Sequence, residues 1–130
     1  MADTNVKSRK ILVVDDEPYV CDALKMMLSI DGHQVVTAAG AAEALELFDQ
    51  GEFELLITDY SMPGMKGDEL AAAIRTRKPN FPVIMITAYV EKLVGENAPL
   101  AHVNELVGKP FRLDQIKSAM VRVFGSAALA

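Results

Sequence analysis

Apolar residues in this chain follow two alternating patterns. Short continuous runs, Ile11-Leu12-Val13-Val14, Leu55-Leu56-Ile57-Thr58, Val83-Ile84-Met85-Ile86 and Leu106-Val107-Gly108, have the length of strands and lack the in-out alternation of a half-exposed sheet. Strands buried on both faces produce such runs. Between them, apolar positions recur at three- and four-residue intervals. Val20, Ala23, Leu24, Met27 and Leu28 predict a first helix, Ala41, Ala44, Leu45 and Phe48 a second, and Leu70, Ala73, Ile74 and Arg77 a third. Leu113, Ile116, Met120 and Phe124 share one face of a last helix that follows Pro110. Pro18 suits a first helical turn, Asp31-Gly32 stops that helix, and Val35-Val36-Thr37 forms a further short strand. Gly51 ends the second helix and Lys78-Pro79 the third. After the run at Val83 the pattern weakens: Glu91 to Asn97 makes a short helix that Pro99 breaks.

Five strand-helix units in tandem predict an α/β fold, a single doubly wound five-stranded parallel sheet whose right-handed crossovers place helices on both faces. No linker composition, repeat or low-complexity tract interrupts residues 10–124, which are expected to form one domain. Residues 1–9 and 125–130 lack periodicity and are expected to be flexible tails.

The strand-like runs end on reactive polar groups. The first leads into Asp15-Asp16-Glu17, the next into Asp59, the third into Thr87 and the last into Lys109. Parallel strands finish on one edge, and ligands of open α/β sheets bind there, so these groups are expected to converge. Composition narrows the rest. A chain of 130 residues that is 51% hydrophobic can bury one ample core. A formal net charge of −5 with no Lys/Arg cluster argues against direct nucleic-acid binding. The single cysteine, Cys21, cannot form an internal disulfide, and neither a leader nor a membrane-length apolar stretch is evident, so a cytoplasmic location is expected.

Three carboxylates brought together at Asp15, Asp16 and Asp59 repel one another unless a cation neutralises them. Mg²⁺ suits the group, because it accepts one or two carboxylates, keeps waters and reaches toward a substrate phosphate. The combination Val13-Val14-Asp15-Asp16-Glu17, Asp59-Tyr60-Ser61-Met62-Pro63-Gly64, Ile86-Thr87-Ala88 and Lys109-Pro110-Phe111 resembles the receiver domain of two-component response regulators, over about Lys10 to Phe124. The resemblance implies strand order 2-1-3-4-5, a flavodoxin-like arrangement. It implies that Asp59 is the phosphoacceptor, taking a phosphoryl group from a phosphohistidine on a histidine kinase or phosphotransfer protein. Mg²⁺ is then held by Asp16, Asp59 and the Ser61 backbone carbonyl, with Asp15 acting largely through water. Lys109 pairs first with Asp59 and then with the phosphoryl group, and a cis peptide precedes Pro110. Thr87 is the switch hydroxyl, and the backbone amides of Tyr60 and Ala88 are phosphoryl donors. Ser61 and Tyr89 set water access to the acceptor and so the phosphoryl lifetime, expected to be minutes or longer.

Two features depart from the family pattern. Leu106 stands where most receivers carry a Tyr or Phe whose ring moves on activation, and Glu96 to Asn104 lacks the usual exit from the fourth helix. Signalling to a downstream protein effector or output domain is therefore expected to rest on Thr87 and loop rearrangement. Two other readings stand beside the receiver. One is a docking module that is never phosphorylated. The other is an Asp-nucleophile Mg²⁺ phosphohydrolase, a true enzyme, disfavoured because Ser61 stands where that class carries an acid/base Asp two residues after the nucleophile. His33 and His102 lack metal-ligand spacing. Cys21 has no adjacent base to activate it, and Met62 and Met65 are expected to pack.

Overall fold

A computed structural model describes residues 8–96 and 101–125. Strands β1 (Lys10–Val14), β2 (Gln34–Ala38), β3 (Leu55–Asp59), β4 (Val83–Thr87) and β5 (Glu105–Gly108) alternate with helices α1 (Pro18–Ile30), α2 (Ala41–Gln50), α3 (Gly67–Arg77), α4 (Val90–Glu96) and α5 (Leu113–Phe124). The sheet has the order β2-β1-β3-β4-β5, and every neighbouring pair is parallel. The doubly wound five-stranded fold expected from the run pattern is the fold observed.

The continuous apolar strands have a side for each helical layer. Ile11, Val13, Leu55, Ile57, Ile84, Ile86 and Val107 face α1 and α5, where Leu24, Leu28, Ile116 and Met120 meet them. Leu12, Val14, Leu56 and Val83 face the other way, onto Ala44 and Phe48 of α2 and Leu70 and Ile74 of α3. Phe48 also meets Phe81 edge-to-face, with ring centroids 5.0 Å apart. Burying one such side chain contributes about 1.5–3 kcal/mol, so the two layers supply the main drive for folding.

The helix seams differ slightly from the expected phases. In α1 the buried positions are Cys21, Leu24 and Leu28, while Ala23 and Met27 are only half-buried. In α5 they are Ile116, Ala119 and Met120, with Leu113 and Phe124 at the margin. Gly32 ends α1 at φ 90°, a left-handed conformation that glycine adopts without a Cβ penalty. The expected break at Pro99, and residues 1–7 and 126–130 of the expected tails, lie outside the described residues. Ser8 and Arg9 are described: the Ser8 hydroxyl donates to Gly32 O at 2.7 Å, and Arg9 stacks over the Phe124 ring at 3.7 Å. Among the described residues no helix is long and apolar enough to cross a membrane.

Strand register aligns the carboxyl ends. Val14 stands beside Thr58 and Ala38, Asp59 beside Ile86, and Thr87 beside Gly108. Whatever follows these positions shares one edge of the sheet.

Candidate functional site

The chain leaves β1 in a tight turn that Asp15 closes on itself, its Oδ1 accepting the Glu17 N–H at 2.9 Å. The Asp15 amide donates to Ala38 O at 3.1 Å, so the side chain is held inward and is buried. Asp16 points to solvent. Asp59, the last residue of β3, is also buried, and the Thr58 hydroxyl donates to its carbonyl at 2.9 Å. Carboxylate oxygens of Asp15, Asp16 and Asp59 all lie within 4.8 Å of one another.

A residue that sequence reasoning passed over fixes this strand end. Gly67 opens α3 against the end of β3: its N–H donates to Tyr60 O at 3.0 Å, and a Cβ built on it meets Asp59 O at 2.3 Å. Only a residue without a side chain admits that approach. The signal was available as a glycine at the start of an otherwise well-formed helix.

Lys109 enters from β5, its amide bonded to Thr87 O at 2.8 Å, and the peptide to Pro110 is cis. Its Nζ lies 3.0 Å from Asp15 Oδ2, 3.2 Å from Glu17 Oε1 and 3.3 Å from Asp59 Oδ1. The expected first pairing with Asp59 is therefore the longest of three. Asp15 and Glu17 take the hydrogen bonds, because the turn after β1 brings both carboxylates under the ammonium. Glu17 had no assigned role; its place directly after the acidic pair was the clue.

Electrostatics follow from this packing. Burial raises the Asp59 carboxyl to about 6, with the charge of Asp15 adding to it and Lys109 opposing. Burial also raises Asp15, against the lowering by the Glu17 amide and Lys109. Burial alone disfavours the Lys109 ammonium, but its bonds to Asp15 and Glu17 and the charge of Asp59 outweigh that and hold it above the ordinary lysine value. Glu17 is held low by the Tyr19 hydroxyl first and by Lys109 second.

Thr87 ends β4 fully buried, and its Oγ1 accepts the Tyr89 N–H at 3.0 Å. Ala88 between them is exposed. The Tyr60 amide is not arranged as expected: it donates to Ile86 O at 3.1 Å, because the β3–β4 ladder runs one residue past Asp59. Ser61 and Tyr89 come together in a cleft of about 220 Å³ that Tyr60, Lys66, Lys92 and Leu93 complete. Leu106 lies half-buried beside Met85, and its neighbour Val107 enters the core.

Other candidates fall away from this edge. His33 precedes β2 at the opposite edge of the sheet, its Nδ1 accepting the Arg9 N–H at 2.9 Å. His102 is exposed. The Cys21 thiol contacts Asp15 O at 3.4 Å, and burial pushes it up, away from reactivity. Met62 is buried and Met65 is exposed.

Two buried carboxylates, an exposed third and one ammonium have the chemistry that a hard divalent ion and an oxyanion would require. Comparison with known proteins bears on what it does. The chain matches the family model of the response regulator receiver domain over residues 11–121. The chemotaxis protein CheY of Pseudomonas aeruginosa is 35% identical over 118 residues, which cover 88% of this chain and 95% of CheY. The response regulator protein FleR of the same species is 41% identical over 80 residues, 62% of this chain but 17% of FleR, so this chain spans a small part of that relative's length. Among solved structures, the response regulator protein TrrA of Thermotoga maritima, in complex with Mg²⁺ and BeF, superposes with a TM-score of 0.80 at 36% identity, covering 88% of this chain and 98% of TrrA. With its sheet order, its acidic cluster and its strand-five lysine in place, the chain belongs to the response regulator receiver domain family.

Proposed function

We propose that this chain is a phosphoacceptor in a two-component phosphorelay. It takes a phosphoryl group from a phosphohistidine of a histidine kinase or phosphotransfer protein onto Asp59 and thereby changes its affinity for a downstream protein effector. The observation that carries this reading is the buried Asp59 carboxylate, grouped with Asp15 and Asp16 and 3.3 Å from the Lys109 ammonium.

The donor set fits Mg²⁺. Carboxylate oxygens gathered within 4.8 Å, one of them exposed, leave room for a small hard ion that retains waters. Asp16, Asp59 and the Ser61 carbonyl, with Asp15 largely through water, are the residues that would hold it, and a bound ion would neutralise charge on the transferring phosphoryl group. The remaining chemistry belongs to the side chains. An Asp59 oxygen attacks phosphorus, the phosphorus–nitrogen bond to the imidazole breaks, and an acyl phosphate forms. A carboxylate is a weak nucleophile, so alignment and charge stabilisation supply the rate. Lys109 offers an N–H to the phosphoryl oxygens. Thr87 rotates its hydroxyl away from the Tyr89 amide to donate to the same group, and the Ala88 amide is a further donor. Because Tyr89 is bonded to Thr87, this rotation frees the loop leading into α4, which supplies a switch that needs no aromatic at Leu106.

Exposed Tyr19, Met26 and Ile30 run along α1 from the acidic turn toward the opposite edge of the sheet and support docking of an apolar helical partner along that helix, with a cytoplasmic kinase as the source of phosphate. Incubation with acetyl phosphate and Mg²⁺ followed by intact mass tests the reading. The expected result is a gain of one phosphoryl group, absent with EDTA and absent in Asp59→Asn. No gain in the wild type, or a gain that survives Asp59→Asn, refutes it and favours an unphosphorylated docking module.

A further inference from the structure

Lys109 has three N–H donors and three carboxylate neighbours, and the neighbours are not equivalent. Asp15 Oδ2 at 3.0 Å and Glu17 Oε1 at 3.2 Å accept the shorter hydrogen bonds, whereas Asp59 Oδ1 at 3.3 Å is the most distant of the three. A phosphoryl group on Asp59 carries its oxygens beyond that carboxylate, so Lys109 must turn a donor outward to reach one. The contact that yields is decided by solvation. The Asp15 side chain is 2% exposed, so water cannot take the place of Lys109 there. The Glu17 side chain is 42% exposed, so water replaces Lys109 there at little cost.

Glu17 is nevertheless not a loose surface acid. Its second oxygen, Oε2, accepts the Tyr19 hydroxyl at 2.5 Å, and its backbone N–H is held by Asp15. Both carboxylate oxygens are therefore in use in the absence of phosphate. Resting on the reading of Asp59 as a phosphoacceptor, we propose that Glu17, steadied by Tyr19, is a positioning residue. It holds the Lys109 ammonium while Asp59 carries no phosphoryl group and releases it when one arrives. Glu17 thus sets part of the free-energy gap between the resting and phosphorylated forms without touching the phosphoryl group.

Three variants separate contact from charge: Glu17→Gln removes the charge and leaves Lys109 only a weaker, neutral amide oxygen, Glu17→Asp keeps the charge but falls one methylene short of Lys109, and Asp22→Asn removes an exposed charge elsewhere on α1. The probe is beryllium fluoride with Mg²⁺. Glu17→Gln and Glu17→Asp are expected to bind it about two- to fivefold more tightly than wild type, the scale of a half-exposed ion pair, with Asp22→Asn unchanged. In metal-free protein, without the probe, the Lys109 ¹⁵Nζ–¹H resonance is expected to exchange faster with water in both Glu17 variants. A Glu17→Asp protein that matches wild type in both measurements overturns the proposal, as does tighter binding in Glu17→Gln alone, which reports charge. If wild type takes neither phosphate nor the probe, the acceptor reading fails. The metal-free ammonium signal still decides whether Glu17 holds Lys109.

Discussion

Replacing Gly67 with alanine sets two effects of opposite sign against each other. As the first residue of α3, Gly67 has an ordinary helical successor, and alanine in a helix is favoured over glycine by up to about 1 kcal/mol. Propensity alone predicts a stabilised protein. The added methyl, however, lies 2.3 Å from Asp59 O and 3.0 Å from Tyr60 Cα, against 3.4 Å for ordinary contact. The first shortfall is about 1 Å, and both contacts are backbone, so no side chain can swing aside. Either α3 or the end of β3 must move, and overpacking of this kind costs about 1–3 kcal/mol. The net expectation for Gly67→Ala is a loss of about 1–2 kcal/mol, or several degrees in Tm for a chain of this size. Moving the acceptor backbone by a fraction of an ångström also misaligns Asp59, and misplacements near 1 Å cost on the order of a hundredfold in rate. Acetyl phosphate labelling of Asp59 should therefore slow by tenfold or more, with Thr87 and Lys109 intact. Thermal unfolding and intact-mass kinetics measure the two effects. A variant that melts at or above the wild-type temperature and labels at the wild-type rate refutes the steric account of how α3 fixes the acceptor.

Other expectations follow from the charged and hydrogen-bonded groups. Burial raises the Asp59 carboxyl from 3.8 to about 6, so the metal-free fold loses stability as pH rises from about 4 to 6, where the unfolded chain has given up its proton and the folded one has not. At about 1.4 kcal/mol per pH unit the ceiling is about 3 kcal/mol; in EDTA, Asp59→Asn should exceed wild type by about 1–3 kcal/mol at pH 7.5 and by little at pH 4, and equal offsets at both refute it. Burial holds His33 below the ordinary histidine value, and its Nδ1 accepts a backbone N–H, so the fold needs it neutral. Its contribution is complete above the unfolded value of about 6.5 and is lost as pH falls through the lower folded value, a loss that denaturant titrations should find absent in His33→Gln. Thr58→Val removes the hydroxyl that donates to Asp59 O and should cost about 1 kcal/mol by urea unfolding.

The parts of this molecule legible in its sequence are those that periodicity or strand direction controls. Continuous apolar runs announced strands buried on both faces, and parallel strands bring Asp15, Asp59, Thr87 and Lys109 to one edge whatever their separation in the chain. The phase of α1 was harder to read. Apolar residues occupy positions 19, 20, 21, 23, 24, 26, 27, 28 and 30, so several helical faces look equally buried and the seam through Cys21 could not be singled out. The choice of partner for Lys109 was also hidden. It depends on where the turn after β1 sets Asp15 and Glu17, 94 and 92 residues away, and no spacing rule encodes a contact made by a turn. The bond from the Tyr60 amide to Ile86 O was hidden for a related reason: strand ends are set by the partner strand, and Ile86 extends the ladder past Asp59.

The same burial that makes the acceptor costly to charge also links its readiness to the cation. Burial and the charge of Asp15 hold the Asp59 carboxyl above the ordinary carboxylate value in the metal-free protein, and a protonated carboxyl neither ligates a hard ion nor attacks phosphorus. Lys109 relieves part of this repulsion but divides its donors among three carboxylates, so one ammonium cannot neutralise the cluster. A divalent ion at this cluster would supply the missing charge, and the repulsion that the fold has built in would favour its binding. Asp59, its counter-ion and the carboxylates beside it therefore form one electrostatic unit, in which ionisation of Asp59 and binding of a cation favour each other.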